Sequence, residues 1–204
     1  MSINFNDAVV NDKRLQHQID AWSFLQATVH KEILDEFARR YRNQKIEPTL
    51  EGLPERGVKL IQEFEDCKLK AYYDPGTKGL PITIGWGSTR RKDGTRFMIG
   101  NIITQEEADD LFYFQLKTEF LPALKKIPHW GQMNDYQRGA LLSFAYNTGA
   151  DFYGHSRYGT ITKVLKNKEW SKVPEALKLY RNPGTDAEAG LLRRRIAEGK
   201  LWLS

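Results

Sequence analysis

Residues 57–88, GVKLIQEFEDCKLKAYYDPGTKGLPITIGWGS, decide the fold, because a helical repeat gives way there to a glycine-rich β-hairpin. On a helical wheel of about 100° per residue, Val58, Leu60, Ile61 and Phe64 fill one arc. Glu55, Arg56, Lys59, Gln62, Glu63 and Asp66 fill the opposite one. One residue breaks the sorting: Glu65 falls between Ile61 and Val58, inside the apolar arc. An ionised carboxylate is costly there unless it is protonated or gains partners. That is the profile of a general acid. Asp74 follows at a strand-to-turn junction marked by Pro75 and Gly76. Thr83 lies on the returning strand, where Gly85 and Gly87 leave room for a ligand to approach. One helix and one hairpin thus gather an acid, a second carboxylate and a hydroxyl.

Upstream, Leu15, Ile19, Trp22, Leu25, Val29, Ile33, Phe37 and Tyr41 recur in helical steps. They predict an amphipathic helix or helix pair over 12–41, followed by a polar linker over 43–52 that contains Pro48. Residues 1–52 read as an N-terminal helical extension and linker, and 53–204 as one domain. In that domain a helix is expected from Pro54 to about Asp66, with strands over 69–73 and 82–86. A second hairpin near 92–95 would string Arg90, Arg91, Lys92 and Arg96 along a sheet edge. Thr104-x-x-Glu107 and Asn134-x-x-Gln137 have the form of helix-starting capping boxes. The first helix is expected to end before Pro122. The second is apolar nearly all round from 140 to 146, so it should be central and buried, with Gly149 closing it. Two shorter helices, a loop over 181–184 and a terminal helix over 187–201 complete the chain. The expected class is α+β: a small antiparallel β-hairpin lobe and a mainly helical lobe with the cleft between them.

At 204 residues, 40% hydrophobic and 28% charged, the chain suffices for one substantial core. No apolar run approaches the roughly 20 residues of a membrane span, and no signal-peptide pattern opens the sequence. Cys67 is the single cysteine, so no internal disulfide and no cysteine-based metal site is expected. It reads as a small buried hydrophobe just past the first helix. The four histidines are scattered, and neither a metal nor a cofactor is expected. The net charge of +5 is uneven: residues 1–52 hold seven Lys/Arg against eight Asp/Glu, leaving +6 on the rest. That excess suits an anionic polymer or an anionic membrane surface, and equally well plain solubility. A nucleic-acid role has only this charge behind it, since no nucleic-acid motif is present.

Three blocks carry a resemblance. Phe64-Glu65-Asp66, Leu69, Ala71-Tyr72 and Asp74 match the pattern F-E-G-x-x-L-x-A-Y-x-D, and Thr83-Ile84-Gly85-Trp86-Gly87 follows as T-I-G-x-G. Residues 140–149, ALLSFAYNTG, match A-L-x-S-F-x-(F/Y)-N-x-G. Residues 190–195, GLLRRR, with Glu198 and Trp202, match a C-terminal G-L-x-x-R-R-x-x-E. In this order they resemble the phage-type lysozymes, the endolysin family of T4-like and lambdoid phages, over residues 53–204. Three departures stand out. Asp66 replaces the usual Gly, the Asp74–Thr83 turn is longer than in the T4 form, and Ser88-Thr89 stands where many members have His-Thr.

The resemblance implies a lysozyme-like fold and a muramidase that cuts the β-1,4 bond between N-acetylmuramic acid and N-acetylglucosamine. It makes Glu65 the general acid, Asp74 the residue that stabilises the cationic transition state or steers a water, and Thr83 the holder of that water. Inversion is the expected outcome. Asn147 either lines the cleft as a substrate-binding residue or caps its helix. Arg193 to Arg195 read as a solvated helix face, with pairing of Arg194 to Glu198 second. The partner implied is the peptidoglycan strand, with weak outer-membrane contact through the basic surface, an unknown contact for the arm, and a monomeric state. Synthesis in the host cytoplasm and holin-dependent release to the periplasm and wall follow from the same reading. The alternatives are a lytic transglycosylase, which needs no second carboxylate, and a virion-associated or non-catalytic glycan-binding protein.

Overall fold

The computed structural model describes residue 50 and residues 52–74 and 79–204. The helix expected over 12–41 and most of the linker lie outside the described residues.

Helix α1 (Glu55–Phe64) starts behind Pro54 at its N-cap and buries Gly57, Val58, Leu60 and Ile61, the face that the wheel selects. It ends sooner than the spacing predicts. Glu65 is its C-cap, extended at φ −109° and ψ 136°, with its N–H donating to the Ile61 carbonyl at 3.0 Å. The carboxylate therefore does not project from the apolar stripe; it leaves the helix end on a backbone that has already turned away. Asp66 is exposed, as its place on the wheel implies, and Cys67 is only half-buried rather than a core residue.

Strands β1 (Lys68–Asp74) and β2 (Gly79–Gly85) pair antiparallel, with Tyr72 opposite Thr83, Tyr73 opposite Ile82 and Asp74 opposite Gly79. The register slips between the last two pairs, so a bulge in β2 takes up Leu80 and Pro81. This is where the longer turn is absorbed, and it leaves Thr83 in the ladder. Strand β2 stops at Gly85, one residue before the expected end. Gly85 and Gly87 adopt φ of 62° and 118°, and the N–H groups of Gly87 and Ser88 both return to the Ile84 carbonyl. The tight turn throws Trp86 sideways, onto Phe112 at 5.8 Å between ring centroids and onto Asp109, to which its Nε1 donates at 2.6 Å. Beyond it, Arg90 bridges Arg96, and the Arg91 N–H donates to the Thr95 carbonyl at 2.8 Å, which makes the expected second hairpin turn. Ala71, Ile84 and Phe97 form a small core under this lobe.

Helix α2 (Gln105–Gln115) carries the Thr104–Glu107 capping box. It does not end before Pro122. The chain passes through one π-helical turn, Leu116–Phe120, in which the Leu121 N–H donates to the Leu116 carbonyl, and into α3 (Leu121–Leu124). The wider turn lets the chain run on past a proline that lacks its N–H. Helix α4 (Asp135–Thr148), opened by the Asn134–Gln137 capping box, buries Gly139 through Ala145 and is closed by Gly149, as expected of a central helix. It crosses α1 at a pair of glycines: a Cβ on Gly57 would lie 2.5 Å from the Cα and the carbonyl oxygen of Gly139. Helices α5 (Gly159–Lys166), α6 (Val173–Lys178) and α7 (Glu188–Trp202) complete the helical lobe. Its core runs through Phe112, Leu116, Leu141, Phe144, Ile161 and Leu177.

Helix α7 overturns one expectation. Arg193 faces solvent, but Arg194 and Arg195 are only 4% and 0% exposed. They form no solvated face, because Glu198 is buried beside them and pairs with both.

Candidate active site

Glu65 stands at the end of α1, and its Oε1 meets the Nη1 of Arg194 at 2.5 Å. The two side chains are unequally covered, 28% exposed for Glu65 and 5% for Arg194. Arg194 is thus a fixed anchor and Glu65 the accessible member of the pair. The anchor is itself held by three further groups. Its Nη2 donates to the Ser143 carbonyl at 3.2 Å, its Nε lies 3.3 Å from Glu198 Oε1, and its guanidinium lies 5.6 Å from the Phe64 ring centroid.

Behind Arg194 the ion pairs continue into the core. Glu198 Oε1 accepts from the Ser143 hydroxyl at 2.9 Å and from Arg195 Nη2 at 2.8 Å, and Arg195 lies 4.7 Å from the Phe144 ring centroid. Burial pushes the Glu198 carboxyl up against the pull of Arg195, Arg194 and the Ser143 hydroxyl. Burial pushes the Arg195 guanidinium down against the pull of Glu198. Two guanidiniums and two carboxylates leave the cluster neutral, which is what lets it be buried at all. Sequence reasoning missed the link from Glu65 to Arg194. The available signal was the Arg194–Glu198 spacing inside the third motif block, which marks a paired rather than a solvated arginine.

Tyr72 is the residue around which the other candidates gather. It pairs across the hairpin with Thr83. Its hydroxyl is pushed up first by burial and then by the charges of Asp74, Glu65 and Asp66, so all three carboxylates lie within its electrostatic reach. Lys68 Nζ sits over its ring at 4.5 Å. Asp74 ends β1, partly exposed. Thr83 is 6% exposed, and its Oγ1 is buried without a hydrogen-bond partner among the described residues. A buried hydroxyl left so costs roughly 1–3 kcal/mol, and such a group in a native site calls for a function.

Tyr146 closes the other side. Its hydroxyl donates to the Trp86 carbonyl at 2.7 Å, and burial, then Glu65, pushes it far up. Asn147, one residue on, is exposed in the last turn of α4, where the Gly149 backbone makes the cap. Glu65 and Asp74 act on the Tyr72 hydroxyl and Thr83 pairs with Tyr72 across the hairpin, so these three share one neighbourhood.

This arrangement can be compared with known proteins. The phage lysozyme family model matches residues 62–198. The endolysin of Salmonella phage P22 is 31% identical over 150 residues, covering 72% of this chain and 95% of that protein. The endolysin of Lactococcus phage c2 is also 31% identical, over 153 residues, and there this chain spans 58% of the relative. Among solved structures, a P22 lysozyme mutant superposes with a TM-score of 0.60 at 29% identity, covering 74% of this chain and 98% of that one. The muramidase domain of SpmX from Asticcacaulis excentricus gives 0.56 at 27% identity, covering 72% and 95%. The match spans Glu65, the hairpin, the central helix and the buried arginines of α7, and the chain belongs to the phage lysozyme family.

Proposed function

We propose that the protein is an endolysin of the muramidase type, which hydrolyses the β-1,4 bond between N-acetylmuramic acid and N-acetylglucosamine in peptidoglycan. The observation that carries this reading is the grouping of Glu65, Asp74 and the unpartnered Thr83 hydroxyl around Tyr72. Family membership and the names of its relatives support it. The catalytic unit is taken as residues 53–204.

In this mechanism Glu65 donates a proton to the glycosidic oxygen as the bond breaks. Arg194 engages Oε1 and fixes the direction in which the second oxygen meets the glycan. Asp74 stabilises the oxocarbenium-like centre and orients a water. Thr83 holds that water, because its hydroxyl both donates and accepts and is not committed elsewhere among the described residues. The water attacks from the face opposite Glu65, and the anomeric configuration inverts.

Product analysis tests the reaction. Purified peptidoglycan should yield one new reducing end per bond cut, in the inverted anomer by NMR, with oxygen from labelled solvent water. Anhydro-muramic ends without new reducing ends mean a lytic transglycosylase and overturn the reading. Thr83→Val tests the water site. It keeps the side chain's shape and removes the hydroxyl, so turnover is expected to fall by about a hundredfold, the scale of one lost preorganised donor. Stability in urea should change by less than about 1 kcal/mol, because no hydrogen bond to another described residue is lost. A stability loss with intact turnover would make Thr83 a structural residue.

A further inference from the structure

A cavity of about 300 Å³ lies between the 88–94 turn and the α2–π-helical segment, beyond the residues assigned above. Arg90, Arg91, Lys92, Phe114, Gln115 and Glu119 give it its character. Two of its three cations are engaged. Lys92 is paired with Asp110. Arg91 donates to the Arg96 carbonyl at 3.1 Å and to Asn101 Oδ1 at 3.0 Å, and lies 4.6 Å from the Phe97 ring centroid. Among the described residues Arg90 makes one long side-chain bond, 3.4 Å to the Gly94 carbonyl, which leaves most of its five donors for a ligand. On the opposite wall Glu119 Oε2 accepts from the Gln115 amide at 3.1 Å. Both Gln115 and Glu119 sit at the π-helical turn, a distortion that recurs at functional sites.

The cavity is coupled to the catalytic neighbourhood through Tyr146. Its ring packs on Phe120 at 5.2 Å, and the charges of Glu65 and, more weakly, Glu119 both act on its hydroxyl. Ser88, in the cavity lining, directly follows the Trp86–Gly87 turn that Tyr146 grips. Ser88 also bridges Ile84, the neighbour of Thr83, so the cavity wall is tied directly to the strand that carries Thr83.

A neutral sugar can hydrogen-bond to either group, but a guanidinium and a carboxylate lining one cavity also match a ligand that carries both charges. Peptidoglycan differs from a plain amino-sugar chain in its short peptides, which carry free carboxylates and a diamino-acid amine. We infer that this cavity is a subsite for the peptide stem, with Arg90 binding a stem carboxylate and Glu119 the stem amine, an inference that rests on the muramidase reading above.

The test is binding, with Glu65→Gln in the full chain to keep the polymer uncut. Three soluble glycan-strand probes are compared: with intact peptides, with peptides removed by an amidase, and with the peptide amines acetylated. Arg90→Ala should weaken binding to intact strands about tenfold and Glu119→Gln about fivefold, the scale of a charge-assisted hydrogen bond. Stripped strands, with the lactyl carboxylates freed by the amidase capped as methyl amides, should show less than about a twofold difference among the variants. Acetylation should erase the Glu119→Gln effect and leave that of Arg90→Ala, while Arg90→Lys retains most of the affinity. Equal losses on stripped strands would make the cavity a sugar subsite and overturn the inference, as would no loss on any probe. A parent that binds none of the three overturns the muramidase reading, and the subsite with it.

Discussion

Replacing Glu65 with Gln is expected to lower peptidoglycan hydrolysis by about a thousandfold, within the range of a lost general acid. The amide keeps the shape of the side chain but has no proton of suitable acidity to give. The fold should survive, because Arg194 keeps the Ser143 carbonyl and Glu198 when its partner at the helix end becomes neutral. Clearing of permeabilised Gram-negative cells measures the activity, and thermal unfolding of the same preparation measures the fold. Parental clearing by the variant would mean that the acid is another residue. Loss of both activity and cooperative unfolding would mean that Glu65 acts through structure.

Glu198→Ala has the largest expected effect on stability. It removes the carboxylate shared by Arg194 and Arg195, and leaves a fully buried guanidinium without its counter-charge. Breaking a buried pair from one side costs about 3–5 kcal/mol, a large part of a typical total of about 5–15 kcal/mol. Urea unfolding should show this as a lower midpoint. The Arg195→Met, Glu198→Leu double replacement should recover much of the loss, since an apolar pair of similar volume is often neutral or better. A loss below about 1 kcal/mol for Glu198→Ala would show that water reaches the cluster.

The contrast between these two residues shows what the sequence made legible. The capping boxes at Thr104 and Asn134 and the buried central helix are local in sequence, and each was readable from residues a few positions apart. Glu65 was singled out through an anomaly on a wheel, although the helix ends before it. The anomaly was sound because a charge next to an apolar stripe needs a partner wherever the helix stops. That partner, Arg194, is 129 residues away, and no local pattern names it. The arginines of α7 were misread for a related reason: periodicity sorts charge outward and cannot distinguish a charge that a neighbour neutralises. The π-helical turn was hidden because Pro122 reads locally as a stop, whereas the surrounding core holds Leu116, Phe120 and Leu124 in one continuous wall.

The backbone contact between Gly57 and Gly139 has a mechanical meaning for the acid. Glu65 lies eight residues beyond Gly57, about 12 Å along the helix axis. The crossing is the pivot of a lever whose tip carries Glu65, the proton donor of the proposed mechanism, and Arg194 is the stop against which the tip rests. A rotation of about 5° at the pivot would move the tip by about 1 Å, a displacement that can cost a hundredfold in rate. Two missing side chains in the depth of the helical lobe thus set the aim of a carboxyl group at its surface.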